Sequence, residues 1–236
     1  MIDFGARRAP ADEARSPATL RTVPSRDAIV DLLGVLAYAE LCGFDRLAAD
    51  ARMAPTLSGR ADMSAMAAVE LGHHMTLADR LRELGVAPED AMSPFVTPLE
   101  NYHSLTSPST WLEGIVKAYI GGGLANDFYL EVARYVDEPT QQLIEGVLTD
   151  VGQGEFAVRE VRAAVSANPG QADRLALWGR RLVGEAISQA QHVLAERDSL
   201  MLLLVEGGGD LSGVAGLIGR ITERHAERMA TLGLRS

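Results

Sequence analysis

The chain has 236 residues, of which 47% are hydrophobic and 5% aromatic, and it carries a formal net charge of −10. That length suits one large domain, and the abundance of Ala and Leu favours helix over sheet because neither loses much on entering a helix. The acidic balance excludes non-specific attraction to nucleic acid or to an anionic membrane. A single cysteine, Cys42, excludes an intramolecular disulfide.

In chain order, residues 1–24 are rich in Ala, Arg and Pro without periodicity, and they read as a flexible arm. They show no apolar signal-peptide core, and the longest apolar run, 200–205, is far too short to span a bilayer. A soluble cytoplasmic protein without a membrane segment is expected. Residues 25–236 read as one helical domain. The first helix starts near Ser25, with apolar residues at three- and four-residue steps through Ile29, Leu32, Leu33, Leu36, Leu47 and Ala51. A second helix covers about 61–84 and ends at Gly85 and Pro88. The stretch 88–110 holds Pro88, Pro94, Pro98 and Pro108 and reads as a long crossover connection. A third helix runs from an N-cap at Ser109 to about 136, and a fourth covers about 140–167. After Asn168-Pro169-Gly170, a fifth helix runs to about 205, and a sixth covers about 211–232. The expected fold is all-α: two hairpins joined by one long crossover, with two additional C-terminal helices.

The apolar stripes of the first four helices are interrupted in a consistent way. The first reads Leu33, Leu36, Glu40, Phe44, Leu47, and the second Met63, Met66, Glu70, His73, Leu77, Leu81, Leu84. The third reads Val116, Ile120, Asp127, Leu130, and the fourth Leu143, Val147, Asp150, Gly154, Val158, Val161. Each helix thus aims a carboxylate at the interior, far from an end where capping would account for it. An unpaired buried carboxylate costs several kcal/mol, and four converging ones repel; divalent cations resolve both problems. Glu70 and His73 share a face at i and i+3. Position 153 holds Gln, a neutral and weaker ligand than imidazole. Asp127 and Asp150 stand at matched depth on either side of the turn near Glu138, and Glu40 and Glu70 do the same about residues 55–59. The alternative is a bundle whose buried carboxylates pair with Arg or His.

The segments LAYAELCGFDRLAADARMAPTL, AAVELGHHMTLADRL, STWLEGIVKAYIGGGLANDFY, VLTDVGQGEFAVREVRAA and GEAISQAQHVLAERD resemble the ferritin-like di-iron proteins, and more closely their tRNA-hydroxylase-like branch. The resemblance implies a ferritin-like four-helix bundle binding two iron ions, with an iron–manganese pair or a single metal as alternatives. Glu40 and Asp127 would be terminal ligands, Glu70 and Asp150 bridging ligands, and His73 and Gln153 the histidine positions. It further implies O₂ activation and hydroxylation of an unactivated carbon, with tRNA as a partner by resemblance only. Tyr38, Phe44 and Phe128 are expected beside an apolar substrate group. Electrons would come from a separate reductase, since no flavin or iron–sulfur motif is present. A non-catalytic scaffold with a degenerate metal site is the competing expectation; the oligomeric state is left open, with a homodimer among the assemblies that the exposed faces of the fifth and sixth helices could support.

Overall fold

The structure is a computed structural model that describes residues 24–148, 153–208 and 211–236. The expected N-terminal arm lies outside the described residues. Helix α1 spans Arg26–Asp50, and the Ser25 hydroxyl caps it by accepting from the Ala28 amide at 3.1 Å. Helix α2, Leu57–Glu83, starts four residues earlier than the periodicity predicts, because Thr56 rather than a residue near Ala61 supplies the cap, accepting from Gly59 N at 3.0 Å. Its far end closes where Gly85 turns to φ 74°; Val86 N donates to Leu81 O and Gly85 N to Arg82 O, the paired bonds of a Schellman stop.

The crossover is not a loop. It folds into α3, Pro88–Met92, a 3-10 turn at Ser93–Phe95, and α4, Val96–Leu105. Pro88, Pro94 and Pro98 do not prevent this, because each falls in a first turn, where a helix has no use for the missing N–H. Helix α5 spans Trp111–Ala133 and is capped by Thr110, one residue after the expected Ser109; Ser109 instead donates to the Glu113 carboxylate through both its amide and its hydroxyl.

The expected fourth and fifth helices are each divided. Helices α6, Glu138–Val147, and α7, Gln153–Ala167, replace one; α8, Gly170–Glu196, and α9, Asp198–Gly208, replace the other. The second break falls at Arg197 (φ −124°, ψ 86°), whose guanidinium bonds the buried carboxylate of Asp31, an acceptor it shares with the Ser199 hydroxyl. Helix α10 covers Leu211–Thr231.

The described residues contain helices and no strands. α1 and α2 pack along one another; α5 lies against α7 and α8 with α10 on a further side; α4 rests on α8, and α9 returns to α1. One continuous apolar core, including Leu32, Leu36, Met63, Leu77, Ile120, Ile144, Leu182 and Met229, joins them. No single described helix is long and apolar enough to cross a membrane.

Candidate metal centre

Glu40 sits in the middle of α1, and Glu70 and His73 sit one turn apart in the middle of α2. Because α1 and α2 pack along their length, the three side chains meet: a ligand atom from each lies within 4.8 Å of the other two. His73 Nδ1 is 3.2 Å from Glu40 Oε2. Gly43, one turn beyond Glu40, faces Glu70; a Cβ there would stand 3.4 Å from Glu70 Cγ and Oε2, at van der Waals contact. The neighbouring His74 does not join the cluster, since its Nδ1 lies 2.8 Å from the backbone oxygen of Ala37.

Burial controls the charges of this group. It raises the Glu40 carboxyl above the usual carboxylate range, against a hydrogen bond with Glu70 that lowers it. It pushes Glu70 up to about 9, assisted by the hydrogen bond and the negative charge of Glu40. The two acids therefore share a proton near neutral pH. Burial lowers His73 despite the nearby Glu70, so its imidazole is neutral and has a lone pair to offer. Two carboxylates and a neutral imidazole form a donor set suited to iron or manganese, and a cation placed between them would supply the charge that the shared proton now supplies. On that ground the residues fit one metal ion.

Asp127 is buried on α5, as its stripe predicts, but it has different company. Arg228 of α10 holds it at 2.6 Å and Arg224 at 3.3 Å. One turn on, buried Glu131 is held by Arg220 at 2.8 Å and by Arg224 at 3.4 Å. This is the arginine pairing that the sequence leaves open as the alternative fate of a core carboxylate. Asp127 is not within the Glu40–Glu70–His73 group. Asp150 and the side chain of Gln153 lie outside the described residues.

A cavity of about 590 Å³ runs beside the cluster, within the size range of small-molecule sites. Glu40, Glu70, His73, Asp127 and Phe128 all line it, among mainly apolar side chains such as Leu47, Leu124 and Leu217. Tyr38 and Phe44 are not among its lining residues: the Tyr38 hydroxyl donates to Glu100 at 3.2 Å, and Phe44 packs against the core. On α1, Tyr38, Cys42 and Arg46 form one row facing Glu100 of α4, with Arg46 Nη2 at 2.7 Å.

Several buried polar residues carried no signal in the stripes of α1–α7. Glu113 is held by Arg174, Asp31 by Arg197, and Lys117 lies buried at 6% exposure. His225 of α10 is also buried, at 4% exposure. The regular spacing of Arg220, Arg224 and Arg228 on one face of α10 was the available clue to acids across from it.

An all-helical bundle with carboxylates and a histidine from adjacent helices gathered in its core defines a class of metal-site scaffold. The chain belongs to the family described as the ferritin-like domain of actinomycetes, whose model matches residues 24–207. No curated protein matches the chain significantly.

Proposed function

We propose that the protein is a non-haem metal-dependent oxidoreductase in which Glu40, Glu70 and His73 hold a redox-active ion, iron in the first instance, at the wall of the apolar cavity. The observation that carries this reading is the three-residue cluster lining a cavity large enough for a small organic molecule. When bound, such an ion supplies one-electron chemistry with O₂. The chain's own residues do the rest. Glu40 and Glu70 provide negative charge once their shared proton leaves. Neutral His73 fixes one coordination direction, and the apolar walls keep water from the reacting group. An external reductase supplies electrons in this scheme. Hydroxylation of an unactivated carbon, as in the tRNA-hydroxylase-like branch, is the reaction proposed.

The test is anaerobic loading with Fe(II), desalting and metal analysis, followed by O₂ uptake with a chemical reductant. About one iron or more per chain is expected, lost in Glu70→Ala and in Glu40→Ala. Retention well below one per chain, unchanged by either substitution, would overturn the reading. A second reading, a ferritin-like binding module without turnover, is favoured by one observation: the arginines on Asp127 keep that carboxylate from serving a second ion. It predicts iron retention without O₂ uptake.

A further inference from the structure

The cavity has a second polar end. Lys117 of α5 is 94% buried by its 6% exposure, and its Nζ has no hydrogen-bond partner among the described residues; a Tyr102 ring centroid 5.5 Å away is its cation–π contact. Around it, Tyr102 Oη, His103 Nδ1 and Arg46 Nε are likewise buried and unpartnered. All four residues line the cavity. Lys117 and Arg46 can only donate, and the Tyr102 hydroxyl and a neutral His103 each have a hydrogen to give, so a single acceptor would suit all four. Leaving such groups unpaired in a core is costly, and more so for a charged one, which is why native structures rarely keep a set of them.

The backbone opens space at the same level. Gly114 and Gly121 lie three residues before and four after Lys117, on its face of α5. A Cβ on Gly121 would stand 2.9 Å from the Tyr102 hydroxyl, and one on Gly114 would stand 3.4 Å from Asp50 Oδ2. The acids nearby are accounted for. Glu100 is taken up by Arg46 and Tyr38. Asp50 lines the same end without a salt bridge to Lys117, and burial raises its carboxyl toward the neutral form, against the positive charges of Lys117 and Arg46. Burial lowers Lys117 to about 8, which still leaves it mostly charged at neutral pH. A buried cation with no contacting anion, amid idle donors, remains.

We propose that this end of the cavity binds the oxyanion head of an amphipathic small molecule, a carboxylate or phosphate monoester, with Lys117 as its counter-charge, and that the molecule's apolar body extends toward Glu40, Glu70 and His73. Arg46 follows Glu40 by six residues on α1, about 9 Å of helix rise, and Asp50 by ten, about 15 Å, so head and metal cluster are separated by the length of a short hydrocarbon chain. Leu47 and Leu124 line the cavity with them. The inference deepens the reading above by naming the molecule the cavity takes, but head binding needs no metal.

The experiment is calorimetry on metal-free, full-length protein with decanoate, decyl phosphate and decanol, extended to their hexyl-to-dodecyl homologues. At least one of the two anions should bind about tenfold or more tightly than the alcohol, and the better of them distinguishes carboxylate from phosphate. Lys117→Met should remove that preference, a loss of about 10- to 100-fold, while leaving alcohol binding intact and melting no earlier than wild type. Tyr102→Phe, which deletes one oxygen, should remove part of it, and Asp50→Asn should strengthen anion binding. Equal binding of anion and alcohol, no binding by any homologue, or a preference that survives in Lys117→Met overturns the proposal. Because metal is absent throughout, loss of the oxidoreductase reading would leave these results unchanged, and the reverse also holds.

Discussion

Glu70 is held in its proton-bearing form by burial and by Glu40 beside it. Its folded-state carboxyl titrates near 9 against an ordinary value of 4.5, raised first by burial and then by Glu40. The folded state therefore binds this proton more tightly than the unfolded state. The cost of Glu70 is absent below pH 4.5, grows as pH rises, and levels off above about 9. Metal-free protein should lose on the order of several kcal/mol of stability across that window relative to Glu70→Gln, which keeps a hydrogen-bonding amide and has no proton to lose. Denaturant midpoints of the two proteins at pH 5, 7 and 9, read as a difference, check this; parallel curves would remove the shared proton from the account. The comparison with the variant matters because Glu113 and Glu131 shift the opposite way. Burial opposes but does not outweigh Ser109 and Arg174 at Glu113, and Arg220 leads the lowering at Glu131, so both favour the folded state above the ordinary carboxylate range. Glu40, Glu70 and His73 were legible in the sequence because each interrupts an apolar stripe that recurs at three- and four-residue steps. Asp127 was legible as buried but not as to its partner, since burial alone does not distinguish a cation from a guanidinium.

At the scale of the element, α5 explains that ambiguity. Ile115, Val116, Ile120 and Leu124 are buried on it together with Glu113, Lys117, Asp127 and Glu131, so it is enclosed around most of its circumference. A periodic stripe specifies a neighbour only when the opposite face meets water. The run Gly121-Gly122-Gly123 shows the same crowding unevenly. A Cβ at Gly123 would collide with Arg228 Nε, whereas one at Gly122 meets nothing within 4 Å. Gly122→Ala should therefore stabilise by about 0.5–1 kcal/mol through helix propensity, while Gly123→Ala should destabilise by displacing Arg228 from Asp127. Thermal melts of the pair decide it, and equal shifts would count against the contact. The break between α8 and α9 was hidden for a related reason: 172–205 keeps a helical pattern throughout, and only the distant Asp31 draws Arg197 out of it. Arg197→Ala should cost about 3 kcal/mol in equilibrium unfolding, because it leaves Asp31 buried with the Ser199 hydroxyl alone. The crossover helices α3 and α4 were not predicted within the connection because its prolines outweighed their positions, although a proline in a first turn is compatible with helix.

For the whole molecule, metal and stability are linked. An ion that binds only the folded state raises stability with concentration, by about 2.7 kcal/mol at a hundredfold excess over Kd. Manganese(II), which needs no anaerobic handling, should raise the melting temperature of wild type and leave Glu40→Ala or His73→Ala unmoved; an equal rise in all three would place the ion elsewhere.

The family resemblance stops at residue 207, and the arginines that hold Asp127 and Glu131 begin at 220. Helix α10 thus lies beyond the shared ferritin-like unit and works as a stopper, seating guanidinium groups where the bundle would otherwise expose two interior acids. A chain cut after Gly208 would leave Asp127 without its two arginines and Glu131 with Arg134 alone, 3.5 Å away, and would have to absorb the exposed charge in some other way, by protonation, by opening, or by capturing a cation from solution. Its stability should fall most steeply above the ordinary carboxylate range, and added divalent metal should restore part of it. In that sense the last helix decides what the third long helix of the bundle is free to bind.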